Sequence, residues 1–495
     1  MKKTLKVLAL ILAVLCLVPA IVACGGDGGE GGNQGGNGNQ GSSGVVDSSD
    51  PYATLLPEYD WEEDIFYILG KDGGSYSMFT NFEIWRENMD GTVVGDAVYT
   101  RNENLKKKYN FIVEQELVSN TYSEAQTLYD AQDDVYDLVI YKPINIFNHA
   151  ASGYLLNLYE IDYLNFDHPT WTKEINDSLT IGGKLYATTN QFLLQDKART
   201  YMMFYNRELA RANGIGLIED HVENNTWTLE VYEQYARTTT FDIDGGGAGG
   251  IGDSFGLAGS GYDVFAALAY GAGFTLGTND GEEITLTGPT DTNNSIIDAV
   301  GKSFFDKTVS CAPKDFNPSD AYTCLNIFLD GRSLFEISFP TDYDIAQGFN
   351  TNCTFELGVL PFPKYDESQE RYYNFNNVHN SSTFAIPYTS MDPAQVGFYL
   401  EAISEESCKT TYSAYIDSKC KVQDAYDEVC AKMLDLCFDS SFIDILACLD
   451  PGGISTIIID QIPSFRTNIF IRLYNSKGDK PQTELDEYIA GFAEQ

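Results

Sequence analysis

Hydrophobic positions change their rhythm three times along this chain. Residues 7–18 form an almost unbroken apolar run behind Lys2, Lys3 and Lys6. Residues 25–49 carry almost no apolar side chain and are dominated by glycine and asparagine. After them, short apolar runs alternate with amphipathic stretches. DIFYIL (64–69) predicts a strand. Residues 96–108 have helical spacing and close on Lys106, Lys107 and Lys108, cations suited to the negative end of a helix dipole. FIV (111–113) predicts a second strand and residues 123–132 a second helix. DLVIY (137–141) is a short apolar run suited to a buried parallel strand. This order implies an open α/β sheet with helices on its faces, whose ligands sit beyond the carboxyl ends of the strands.

The first two regimes explain one another. A basic head, an apolar core and the small residues Ala20 and Ala23 follow the order of a secretory signal. The core falls short of the about 20 residues that span a bilayer. Ile21-Val22-Ala23-Cys24 resembles the bacterial lipobox, in which cleavage precedes the cysteine and its sulfur takes a diacylglycerol. The resemblance implies a signal peptide over residues 1–23 and a lipid on Cys24. One acyl chain binds a membrane marginally, whereas several anchor it stably. Residues 24–54 then form a disordered tether, with too few apolar groups to offset the entropy of ordering. A glycine-rich coil of about 25 residues spans roughly 25–30 Å. The body is expected outside the cell, held to the membrane through the lipid anchor only.

The 495 residues leave a body long enough for two or three domains, and 43% hydrophobic content supplies their cores. A formal charge of −41 argues against nucleic acid and against direct contact with anionic lipid. Once Cys16 leaves with the signal and Cys24 takes the lipid, Cys311, Cys324, Cys353, Cys408, Cys420, Cys430, Cys437 and Cys448 remain. The absence of a CxxC pair and the presence of only 4 histidines argue against a zinc cluster. Disulfides and buried thiols are both open to these eight cysteines, and no pairing follows from the sequence.

Six fragments, in order, resemble the extracellular solute-binding proteins of ABC importers, the group that includes maltose-binding protein. ENLKKKYNFIVEQE (103–116) is similar to the family's early helix and second strand. YDLVIYKPINIFNHAASGYLLNL (136–158) resembles its strand, ligand loop and small-residue helix. IGGKLYATT (181–189) resembles the segment before the first crossing between lobes. MFYNRELARANGI (203–215) with NTWTLEVYEQYART (225–238), then GRSLFEISFPTDYD (331–344) and LGVLPFPK (357–364), complete the order. The resemblance implies two α/β lobes, each a mixed sheet flanked by helices, closing on a ligand about a hinge (the type II periplasmic-binding-protein fold). Crossings are expected near residues 195–201, after 361–363, and near 405–408. Lobe one would be 55–197 plus 375–407, and lobe two 198–374 plus 408–495. The implied partners are a small-molecule ligand and the permease subunits of an ABC transporter, with the binding protein a monomer that needs no cofactor.

Aromatic residues make up 13% of the chain, and aromatic faces beside hydrogen-bonding groups suit sugars. The resemblance selects Asn81 and Trp85 after the first strand, Lys142 and Asn145 in the ligand loop, Tyr201 at the crossing, and Asp342 and Tyr343 in lobe two. Thr341 and Asp342 stand before Tyr343, so one ring of the family's aromatic platform is missing, which argues against a simple maltose-like ligand. Trp227 reads as a structural ring beside a helix that Thr228 caps, with Val231 and Tyr235 on one face. Residues 241–256 resemble a calcium loop of relatives. Asp242, Asp244 and Asp253 fill positions 1, 3 and 12, but Gly246 supplies no side-chain oxygen at position 5, so a metal-free loop is expected. The rival to a binding protein is a secreted glycan-active enzyme with paired carboxylates. No G-x-S-x-G, H-E-x-x-H or phosphate-loop motif supports catalysis, so no enzyme activity is expected. A ligand sensor for a membrane receptor is the third class.

Overall fold

The computed structural model describes residues 52–53, 55–74, 80–259, 263–312, 315, 323–341, 355–376, 378–424 and 427–493. The signal, Cys24, the tether, Asp342 and Tyr343 lie outside them. The predicted alternation opens the body. Strands β1 (Asp64–Lys71), β2 (Phe111–Val118) and β3 (Leu138–Tyr141) are parallel, with β1 central. Asp64 pairs with Phe111 and Lys71 with Val118, while Leu69 meets Val139. The strand Thr383–Ala385 adds antiparallel to β3, Thr383 opposite Tyr141. All four β3 side chains are buried, as expected of a parallel strand covered on both faces.

Helix α1 (Val93–Tyr109) starts where Thr92 Oγ1 accepts from the Gly95 amide at 3.1 Å. It stops at Asn110, whose φ of 55° is the left-handed turn common after helix ends, and its last turn holds the three predicted lysines. Helices α2 (Thr121–Ala131) and α3 (Pro143–Ala151) flank β3 in sequence.

A second sheet has the order β10-β4-β9-β5-β8, built from β4 (Met202–Asn206), β5 (Phe255–Gly259), β8 (Ser310–Cys311), β9 (Ser333–Ser338) and β10 (Leu357–Leu360). β4 runs antiparallel to both neighbours, and β5 runs parallel to β8 and β9. Helices α4 (Leu229–Thr238) and α6 (Asp291–Phe304) pack on it, and α5 (Val264–Gly271) packs on α6. Trp227 is fully buried at the head of α4, and its indole donates to the Pro361 carbonyl at 3.0 Å. Thr228 stands at the α4 cap with extended backbone but makes no side-chain cap bond. The buried stripe of α4 is Leu229, Tyr232 and Ala236, with Val231 and Tyr235 half-buried beside it. A hairpin of β6 (Gly277–Asn279) and β7 (Ile284–Leu286) stands apart from the sheet. The Asn279 amide there donates to the Ser178 and Thr180 carbonyls at 3.0 and 2.9 Å.

The chain passes from the first sheet to the second through residues 195–201. That segment lies against the returning strand β11 (Asn374–Phe375): the Tyr201 amide donates to Phe375 O at 3.1 Å, and Asn374 Nδ2 to Tyr201 O at 2.8 Å. β12 is Thr383–Ala385, and β13 (Ser441–Phe442) pairs in parallel with β11. Asn376 Nδ2 donates to Asp196 O at 2.8 Å, so the outward and return passages are tied side by side. The return strand at Asn374–Phe375 follows the proline segment 361–363. A third passage is helix α7 (Pro393–Ser407), which runs on through wide π-type turns to Asp424. The final helix, α8 (Lys480–Ala493), returns to the first sheet's flank, where Phe492 O accepts from Lys184 Nζ at 3.2 Å and Tyr488 donates to Asn148 Oδ1 at 2.8 Å.

Candidate functional site

β1 ends at Lys71 and β3 is followed at once by Lys142. Because these parallel strands are neighbours, their last residues leave the sheet on the same side. Lys142 stands at the amino end of α3 with extended backbone, and its side chain makes no capping bond. Proline at the first helical position is pre-set for this start. Lys71 is held by Asn81: the Lys71 amide donates to Asn81 Oδ1 at 2.8 Å, and the Asn81 amide donates to Lys71 O at 3.0 Å. The loop after β1 reaches the crossing, where Gln195 Nε2 donates to Thr80 O at 2.9 Å. In the crossing, Arg199 is fully buried with its guanidinium 5.2 Å from the Phe339 ring centre.

Lys71 feels the other two cations. Burial first, then the charge of Lys142 and that of Arg199, pull the Lys71 ammonium down to about 8. Close by in sequence, burial pushes the Glu83 carboxyl up to about 7 against the opposing hydrogen bond from Asn81.

The sequence-selected residues divide. Lys142 belongs to this cluster. Asn81 is buried and spends its amide on the loop, donating to Glu83 Oε1 at 3.3 Å and Ser382 Oγ at 3.4 Å. Trp85 is 36% exposed and follows Ile84, whose carbonyl accepts from Arg101 of α1 at 2.6 Å. Asn145 lies in the first turn of α3. Tyr201 is buried in the crossing, its ring 4.2 Å from that of Phe339. Lys71 and Arg199 were not selected. Lys71 could have been found from its place at the carboxyl end of the first strand, opposite Lys142. Arg199 carried only one signal, a cation inside the expected crossing.

Asp242, Asp244 and Asp253 bring carboxylate oxygens within 4.8 Å of one another. Asp242 accepts from the Gly245 and Gly247 amides, Asp244 from Gly246, and Asp253 from Ile243 and Gly250. Backbone N–H groups thus meet the negative charge inside the loop. Elsewhere a cavity of about 480 Å³ is lined by Tyr270, Phe274, Asn279, Arg371, Tyr373 and Asp444 among others. Tyr270 lies at the far end of α5, which leaves β5 at its carboxyl end and rises about 1.5 Å per residue. The lining also takes in Ser178, and Tyr373 and Phe442 bring it to the crossing strands β11 and β13. Among the described residues, seven cysteines are buried free thiols, with Cys311 Sγ and Cys324 Sγ 3.6 Å apart. Cys353 lies outside those residues. No described helix is long and apolar enough to cross a membrane.

No family model matches the chain, and no curated protein matches its sequence. Solved structures do. The cyclo/maltodextrin-binding protein complexed with maltotetraose aligns at TM-score 0.55 and 14% identity, over 87% of this chain and 97% of that one. UgpB from Mycobacterium tuberculosis, in complex with glycerophosphocholine, aligns at 0.53 and 16%, over 86% and 100%. An ABC transporter solute-binding protein from Thermotoga lettingae, bound with α-D-tagatose, aligns at 0.51 and 13%, over 86% and 100%. At these identities the likeness is one of fold. This chain has the two-lobed, mixed α/β fold of solute-binding proteins.

Proposed function

We propose that this protein captures a solute between its two lobes and delivers it to an ABC transporter. The observation that carries the reading is the meeting of the first sheet's carboxyl ends with the tied crossing strands, where Lys71, Lys142 and Arg199 gather. Ligands of open α/β sheets sit at such ends, and closing lobes need a hinge whose few residues absorb the motion. Neighbours of the same fold are described with maltotetraose and tagatose, which supports a carbohydrate or oligosaccharide as the solute. In this reading the lobes divide as 55–197 plus 375–407 and 198–374 plus 408–495, with α8 lying on lobe one. The protein acts as a monomer, without catalysis, on the outer face of the membrane to which a lipid on Cys24 holds it.

In this reading Trp85 and Tyr343 are the expected stacking residues for a sugar. Loss of a stacking ring at a binding hot spot commonly costs a few kcal/mol. Once a sugar panel read by thermal shift has supplied a ligand, Trp85→Ala and Tyr343→Ala should each weaken its binding by at least about tenfold. Unaltered affinity in both variants, measured by calorimetry, would refute these two assignments.

A further inference from the structure

The second sheet ends on its shortest strand. β8 is only Ser310–Cys311, and it meets β5 by pairing Ser310 with Leu257 and Cys311 with Ala258. It stands at the edge of the order β10-β4-β9-β5-β8, where so short a strand has few ladder bonds to hold it. The helix Thr323–Leu329 packs on β5 and β9 of the same sheet, and Cys324 is its second residue. Cys311 and Cys324 are both buried, and their sulfurs stand 3.6 Å apart although 13 positions separate them in the chain. A disulfide bond is about 2.0 Å long. The remaining approach is small enough for rotation about the two Cα–Cβ bonds to supply it. Other thiols have taken oxygen partners: Cys408 Sγ donates to Ser404 O and Cys430 Sγ to Leu357 O, each at 3.2 Å.

We propose that Cys311 and Cys324 form a disulfide in the exported protein, tying the edge strand of the second sheet to the helix that packs on that sheet. This rests on the outer-face location in the solute-capture reading, because disulfides form and persist in oxidising surroundings. The oxidant is a protein or small-molecule disulfide. One cysteine thiolate attacks it, forming a mixed disulfide and releasing one thiolate; the second cysteine thiolate then displaces the other half. Two electrons pass to the oxidant, which ends as two thiols carrying the two cysteine protons. The exchange takes place before β8 and the helix close over the sulfurs. In the folded chain the neighbouring Cys311 thiol, and then burial, hold the Cys324 thiol well above its ordinary range, so it supplies no thiolate there. Burial equally keeps soluble reductants from the finished bond. β5 runs parallel to β8 and β9, and Cys311 ends β8, so the bond fastens the carboxyl edge of this sheet, the side on which α/β sheets take ligands.

The test expresses the full chain with its own signal in a host whose outer compartment is oxidising. The protein is unfolded in iodoacetamide without reductant and its peptides are mapped by mass. The peptides carrying Cys311 and Cys324 should be joined, lighter by two hydrogen atoms, and should separate on reduction. The same map shows whether residues 1–23 have been removed, which reports export independently of the pairing. After unfolding and reduction, refolding with oxidised glutathione should restore the bond. That product should melt about 3 °C or more above protein refolded with dithiothreitol. A variant carrying both Cys311→Ala and Cys324→Ala should melt alike after the two refoldings. The inference is overturned if both cysteines of the processed chain carry label before reduction, or if either is joined to Cys353 or another cysteine. Labelled thiols in an unprocessed chain that still pairs them on oxidative refolding would overturn it through its premise, the outer-face location, and not through the geometry.

Discussion

Two groups of like charge stand in this molecule, and they are compensated differently. Asp242, Asp244 and Asp253 converge within 4.8 Å, yet every one of them accepts backbone N–H groups from its own glycine-rich loop. Lys71, Lys142 and Arg199 come together from distant parts of the chain, and burial with mutual repulsion lowers the Lys71 ammonium to about 8. The acidic group is satisfied by local geometry. The basic group is assembled only by the tertiary fold. The difference teaches that a charge cluster built within one loop is answered by that loop's own backbone, whereas one built from distant elements depends on the tertiary fold.

Buried single carboxyls sharpen this contrast with the largest expected effect. Glu401 accepts from the Trp171 indole at 3.1 Å and from the Asn165 amide at 3.4 Å, but burial still pushes its carboxyl up to about 7. Between the ordinary carboxyl range and pH 7 the folded protein holds a proton that the unfolded chain has lost. Stability is therefore present at low pH and falls as pH rises through about 7. One such group is worth about 3 kcal/mol across that window. The melting temperature of the parent should fall from pH 5 to pH 8, with Glu83 adding its own share, and Glu401→Gln should flatten the fall. Equal slopes in parent and variant would contradict burial as the governing influence on Glu401.

A smaller effect is expected from Lys142→Ala without ligand. Removing one of two neighbouring ammonium groups relieves repulsion that solvent already screens, about 0.5–1 kcal/mol. The variant should melt about one to two degrees higher than the parent. A clearly lower melting temperature would mean that Lys142 holds the fold together rather than repelling its neighbour.

The smallest effect is expected at the acidic loop. Its position 5 is Gly246, and its carboxylates already accept amides, so EDTA should leave the melting temperature unchanged. A fall that calcium alone restores would show that the two clusters resemble each other after all.

The first lobe was largely legible in the sequence. Residues 64–69, 111–113 and 138–141 sit in strands, and 96–108 in a helix, because apolar periodicity and the terminal lysines act within a few residues. Trp227 was legible too, as a ring buried at the head of its helix. Arg199 was not: its relation to Lys71 and Lys142 exists only after β1 and β3 pair and the crossing folds beside them, contacts between residues more than fifty positions apart. The hydrogen bonds that tie residues 195–201 to Asn374–Phe375 join segments far apart in sequence, so local pattern does not reveal them. The grouping of the three aspartates was legible, but the backbone amides that meet their charge were not. Ligand counting by position cannot see that Gly245 and Gly247, with φ of 75° and 100°, turn the backbone so that amides point inward.

Closure of the two lobes on a solute is the central claim, and small-angle scattering tests it most directly. On saturation with the tightest-binding sugar of the panel, the radius of gyration of the parent should decrease, and Lys142→Ala should show less compaction at the same sugar concentration. Tight binding with no change in radius of gyration would contradict the closing trap.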